Sequence, residues 1–161
     1  MEISVKQIHD LYQLNTSMLG HVLRGFSEQD ALSRPLERAN PVIWIVGHMT
    51  ANRFMVAQIL GVETKDPFNG AFGKSFDLNR SEDYPTLAEV MGEWDRISPI
   101  VLKAIVGADT ELLATAARFQ IDGVESNCLG NLSVLLWHEC YHLGQVAYIR
   151  AQLGYTSALA Q

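Results

Sequence analysis

The sequence is poor in cysteine, which bears on both its compartment and its stability. Its two cysteines, Cys128 and Cys140, stand twelve positions apart. On one helix that separation amounts to ~18 Å, which no disulfide spans. We therefore expect a reducing, cytoplasmic setting. Because 161 residues can bury a core unaided, residues 1–161 are expected to form a single domain in which any bound metal serves a function.

Clustered positive charge and long apolar runs are also absent from the sequence. Lys and Arg number 12 against 18 Asp and Glu, the net charge is -6, and the basic residues are scattered. Nucleic acids and anionic membranes require basic clusters, so neither is an expected partner. No apolar run reaches membrane-spanning length, and the charged N-terminus lacks a signal-peptide core. Small molecules or proteins remain as expected partners.

The sequence is rich in segments with the pattern of an amphipathic helix. Apolar residues recur at helical spacing in four long segments, which predicts an all-α fold, an up-and-down four-helix bundle. The first helix is expected over residues 4–26, and its apolar stripe includes the polar Asn15. The fourth is expected from about residue 129 to 153, ending at Gly154.

Local signals predict the ends of the two middle helices. Asn40 is expected to cap the second helix, with Pro41 in its first turn and Gly61 closing it. Thr86 begins a capping-box pattern that opens the third helix. Pro99 is expected to kink that helix.

Two connections carry less regular sequence. Residues 62–85 contain Phe68, Phe72 and Phe76 among glycines and charges. These rings either form a lid over a pocket or plug one end of the bundle, and the sequence favours neither. Residues 107–128 predict a short helical turn followed by a short extended piece.

The most informative spacing is that of His138 and His142. Residues four apart on a helix point the same way with Cβ atoms ~6 Å apart, so both imidazoles can reach one ion. A catalytic metal needs about three protein ligands and an open position. On the second helix, His48 shares its face with Trp44 and Met55, so it is expected to point inward as the third ligand.

The remaining histidines fit the site less well. His21 is expected to face water, and His9 lies at the edge of the first apolar stripe. A lone inward histidine is usually a hydrogen-bonded core residue. Three of them would leave costly unsatisfied groups unless they share a partner. A metal supplies that partner, and we favour it over three separately satisfied core imidazoles.

Several neighbours of the predicted site have open roles. Asn15, Asn52 and Gln145 either orient the ligands or line a pocket. Glu139 lies close enough in angle to approach the metal, although a surface salt bridge is favoured. Cys140 is rotated ~200° from His138 and is expected to be a packed, inert thiol.

Residues 138–142, which read His-Glu-Cys-Tyr-His, also match H-E-x-x-H, the zinc-peptidase motif in which the glutamate is the general base. Peptidases of that class take a third ligand downstream. After His142 the sequence offers no acid and no histidine, and Tyr148 occupies the position of the downstream histidine. The context therefore argues against a peptidase.

Two segments give the chain a family resemblance. One is "RPLERANPVIWIVGHMTANR", with a tryptophan four residues before His48, and the other is "WHECYHLGQVAYIRAQLG". With these the sequence resembles the DinB-like (YfiT-like) superfamily of metalloenzymes over nearly its whole length. The resemblance implies an up-and-down four-helix bundle, a homodimer, and a divalent metal ion, zinc or nickel, held by His48, His138 and His142.

The resemblance also implies a reaction class. Some relatives transfer or isomerise using low-molecular-weight thiols such as bacillithiol, mycothiol or glutathione, so the expected function is a metal-dependent thiol transferase acting on a small-molecule substrate. A metal-dependent hydrolase, or a non-catalytic metal-binding or dimerisation module, is the alternative. A three-histidine ion would activate water or a thiol at neutral pH, which suits both reactions.

Overall fold

The structure is a computed structural model that describes residues 5–34, 39–73 and 84–157. Within these ranges the regular secondary structure is helical, and no residue belongs to a β-strand. The all-α prediction is therefore confirmed for the described residues. The helices are α1 (Val5–Leu23), α2 (Glu28–Leu32), α3 (Val42–Ile59), α4 (Leu87–Gly107), α5 (Thr110–Leu113) and α6 (Cys128–Gln152).

The four long helices pack in a closed ring. α1 contacts α4 and α6, and α3 contacts the same two helices from the other side. The short helices α2 and α5 pack against α3 and α6 respectively. None of the helices described here is long and apolar enough to cross a membrane. The up-and-down order of a four-helix bundle stays a prediction.

Helix ends specified by short-range signals lie close to their predicted positions. Thr86 accepts a hydrogen bond from the backbone N–H of Glu89, whose carboxylate accepts one from the N–H of Thr86, completing the predicted capping box. Gly61 and Gly154 have φ angles of 78° and 82°, the left-handed conformation that ends helices at glycine.

The predicted cap of the second helix is wrong. Pro41, not Asn40, is the N-cap residue of α3. Pro41 has extended backbone angles, φ -66° and ψ 157°, so the helix begins at Val42 and no side chain caps it. In the third predicted helix, α4 continues through Pro99.

The phenylalanine-bearing connection joins the core. The Phe72 side chain is fully buried, and its ring lies 5.0 Å from that of Phe68 in an edge-to-face pair. Of the two interpretations, plugging of the bundle therefore fits these two rings. Phe76 lies outside the described residues. Beyond α5, the predicted extended piece reduces to one isolated bridge between Ala116 and Asn127.

The position of α3 explains why polar side chains meet inside the protein. Buried residues occur on nearly every side of this helix. A polar residue on α3 therefore needs a hydrogen-bond partner within the protein. Three such residues, His48, Asn52 and Arg53, face α6 and make the contacts described next.

Candidate metal centre

The three predicted histidines converge. α3 supplies His48, and α6 supplies His138 and His142. One nitrogen from each ring lies within 4.8 Å of the other two, a spacing at which the group could hold a metal ion. The convergence predicted from sequence is present, although metal binding by these residues stays a prediction.

Hydrogen bonds at Nδ1 leave the Nε2 atoms of His48 and His142 without a proton. His48 Nδ1 lies 2.7 Å from the carbonyl oxygen of Phe72, and His142 Nδ1 lies 2.7 Å from Gln145 Oε1. Since both partners only accept, each Nδ1 carries the proton and each Nε2 keeps its lone pair. Carbonyl groups commonly orient metal-binding histidines in this way.

The spacing of the inner nitrogens suits a transition metal. His142 Nε2 and His138 Nε2 are 3.0 Å apart. Two nitrogens bound to one tetrahedral zinc at ~2.0–2.1 Å are themselves roughly 3.3 Å apart. An imidazole donor set suits zinc, copper, iron and nickel, so the residues fit a divalent ion of this group.

Asn52 links the two helices at the site. Its Nδ2 lies 3.2 Å from both His48 Nε2 and His138 Nδ1, so one amide can donate to both rings. His138 Nε2 can then donate to His142 Nε2, and each imidazole has a protein partner. The three rings can thus be satisfied without a metal, by Asn52, Gln145 and the Phe72 carbonyl group, as in the less favoured alternative of separately satisfied core imidazoles.

Burial favours the neutral form of the three rings. Loss of hydration lowers the pKa of His48 and His138 below the usual 6.5, and that of His142 to about 4. The neighbouring histidines add repulsion at His138 and His142. Neutral imidazole is the form that binds metal, so at neutral pH the site needs no deprotonation step.

Aromatic rings enclose the cluster on one side and reach the surface on the other. The buried Trp44 ring stacks on His48 at 4.8 Å. Tyr141, which is exposed, packs edge-on against His142 at 5.3 Å and stacks with the exposed Trp137. The cluster is thus partly shielded from water, with an exposed aromatic border.

Glu139 contradicts its predicted surface role. It is 3% exposed and forms a bidentate ion pair with Arg53, with N–O distances of 2.9 and 2.8 Å. No role was predicted for Arg53. The available signal was that Arg53 is the one Lys, Arg, Asp or Glu residue of a mostly apolar helix, where a buried charge needs a partner.

Cys140 differs from expectation, whereas Asn15 takes the second of its two predicted roles, the lining of a pocket. Cys140 is exposed rather than packed. Asn15 donates to its sulfur at 3.3 Å instead of orienting a histidine. Both line an apolar groove of about 360 Å³ between α1 and α6, whose lining does not include the three histidines.

The other two histidines lie where predicted. His9 is half-buried beside Asp10, and His21 is exposed. Neither belongs to the cluster. The two cysteines are free, as expected from their separation.

Fold and site together define an all-helical protein with a three-histidine cluster on facing helices. The sequence profile of the DinB superfamily matches residues 11–146 of the chain. The protein belongs to this superfamily, as its two histidine-bearing segments predict. No curated protein was found to match the chain.

Proposed function

We propose that the protein is a metal-dependent enzyme built on an up-and-down four-helix bundle, with a divalent ion, zinc or nickel, held by His48, His138 and His142. The observation that carries this proposal is the approach of three imidazole nitrogens to within 4.8 Å. Membership of the DinB superfamily supports it.

An incomplete ligand set favours catalysis over storage. Among the described residues, no cysteine, aspartate or glutamate joins the three histidines. Three protein ligands leave a position for water or substrate, whereas structural sites usually have four protein ligands. When bound, a divalent ion supplies Lewis acidity that favours the deprotonated form of a water or thiol.

The chain's own residues would prepare the site. Phe72 and Gln145 fix the orientation of two rings through their oxygen atoms. Trp44 covers the inner face of His48 and keeps water from that side. Because these contacts involve buried or half-buried groups, the donor atoms are held in place before any ligand arrives.

For the reaction we propose transfer of a low-molecular-weight thiol to a small electrophilic substrate. This choice rests on family analogy. Hydrolysis uses the same chemistry with water as the nucleophile. Incubation with an electrophile and each of bacillithiol, mycothiol and glutathione separates the two: turnover with a thiol supports transfer, whereas ester or amide cleavage without thiol supports hydrolysis.

Metal analysis tests the site itself. Protein purified without a nickel column should contain about one divalent ion per chain, and His48→Ala should lose it while keeping its helical circular dichroism. His21→Ala is the matched control, because His21 is exposed and outside the cluster. If His48→Ala contains as much metal as the parent, His48 is not the third ligand.

We also propose a homodimer, on family analogy alone. Light scattering coupled to size-exclusion chromatography measures the mass directly. A mass near the 17.9 kDa of one chain would contradict it.

A further inference from the structure

A buried ion pair adjoins the histidine cluster on both helices that build it. Arg53 directly follows Asn52 on α3, and Glu139 directly follows His138 on α6. The two side chains are 0% and 3% exposed. Two parallel N–H···O bonds join them, and such a fork fixes both distance and orientation.

The same guanidinium also contacts the other two long helices. Arg53 Nη1 donates to Thr16 on α1 at 2.8 Å and to Ser98 on α4 at 2.5 Å. Nη2 donates to the Tyr12 carbonyl oxygen on α1 at 3.1 Å. The central carbon lies 3.7 Å from the Trp94 ring centroid. All five N–H groups therefore have partners, and one side chain connects all four long helices.

Stability alone is a poor explanation for this arrangement. Removing two charges from water is costly, and apolar side chains of similar volume often replace a buried ion pair without loss of stability. Apolar contacts, however, impose no direction. A bidentate pair specifies one height and one rotation of α6 relative to α3, and buried polar groups can serve in this way to select a register.

We propose that Arg53 and Glu139 are positioning residues that hold α3 and α6 in the register at which His48, Asn52 and His138 meet. Backbone displacement at Arg53 or Glu139 is passed to the adjacent Asn52 or His138. The inference rests on the proposed function only in taking the cluster to be a metal site.

The test removes the pair without leaving a lone buried charge. The double variant Arg53→Met/Glu139→Leu should fold with parent-like helical content and melting temperature. Its affinity for Zn²⁺, measured by competition with a chromophoric chelator, should fall by about 10-fold or more, as when groups supporting metal ligands are removed. The visible absorption spectrum of its Co²⁺ complex should also change.

A matched control uses the same substitutions at an exposed pair. Arg96 and Glu93 form an ion pair on α4, with 48% and 28% of their side chains exposed. Glu93→Leu/Arg96→Met should keep the parent's Zn²⁺ affinity and Co²⁺ spectrum. Equal loss of affinity in this control would show a nonspecific effect and overturn the proposal.

The other outcomes distinguish failure of the positioning role from failure of the proposed function. Parent-like Zn²⁺ affinity in folded Arg53→Met/Glu139→Leu would overturn the positioning role. If that variant fails to fold, Arg53→Lys keeps both charges and removes the bidentate fork. It should bind Zn²⁺ less tightly, and parent-like affinity there would also overturn the role. A parent protein that binds no Zn²⁺ would refute the proposed function instead.

Discussion

At the scale of single residues, Gly47 determines whether Phe72 can approach His48. A Cβ atom at Gly47 would lie 2.5 Å from carbons of the Phe72 ring, closer than such atoms come in proteins. The Phe72 carbonyl oxygen in turn holds His48 Nδ1. The missing side chain thus leaves room for a ring whose backbone orients a candidate ligand.

We therefore predict that Gly47→Ala weakens both stability and zinc binding. Overpacking typically costs about 1–3 kcal/mol, which outweighs the ~1 kcal/mol that alanine gains over glycine in a helix. Gly20→Ala is the control, because Gly20 lies on α1 with nothing within 4 Å of a Cβ atom. Urea denaturation should show lower stability for the first variant and equal or higher stability for the second. Higher stability of Gly47→Ala would contradict the packing argument.

The histidine pKa values predict an acid-sensitive fold when metal is absent. Burial lowers the pKa of His142 from 6.5 to about 4. Between these values the unfolded chain binds more protons than the folded one, so stability falls as pH decreases through this window. Above pH 6.5 both states are neutral and the effect vanishes.

Urea denaturation with a chelator present, from pH 7 to pH 4, measures this effect. The parent should lose more stability across the window than His142→Gln, which has no such proton to bind. The comparison is needed because carboxyl groups such as Asp30 and Glu89, whose pKa values are lowered by hydrogen bonds, also affect acid stability. Identical pH profiles would show that His142 titrates normally.

At the scale of helices, ends that depend on neighbouring residues could be predicted and contacts between distant segments could not. The Thr86 capping box involves residues three apart, Thr86 and Glu89, so the local sequence is enough to predict it. The prediction of Asn40 as the cap was wrong because Pro41 has extended backbone angles, so the helix begins one residue later than expected. The predicted surface role of Glu139 was wrong because its partner, Arg53, lies 86 positions away on another helix.

The same distinction applies to the candidate site. His48, His138 and His142 were predictable because helical periodicity places all three on inward faces. Periodicity does not say what each face meets. The contact of Asn15 with Cys140, and those of Arg53 with the three other long helices, depend on how the helices pack.

For α4 we predict that Thr86→Ala lowers stability by about 1 kcal/mol, the usual effect of losing a side-chain cap. The Thr86 hydroxyl satisfies the Glu89 N–H, and alanine leaves that group to water. Thr86→Ser keeps the hydroxyl and should restore most of the loss. Equilibrium urea denaturation compares the three proteins; a serine variant as unstable as the alanine variant would assign the effect to the lost methyl group.

At the scale of the whole molecule, the core and the histidine cluster are separable. Two clusters of buried apolar side chains lie among the helices, and neither of them contains one of the three histidines. A core of this extent is expected to hold the fold without an ion. A metal would then add stability by binding the folded state, rather than being required to form it.

The last prediction follows from this separation. An ion present at 100 times its dissociation constant stabilises the folded state by about 2.7 kcal/mol. For a chain of this size that corresponds to roughly 5–10 °C in melting temperature. Thermal denaturation followed by circular dichroism should show such a rise with Zn²⁺ for the parent and none for His48→Ala, while both keep the same helical signal at 25 °C without metal. A parent protein that is unfolded after chelation would show instead that the ion is structural, and the histidines would then belong to the core rather than to a site the core merely supports.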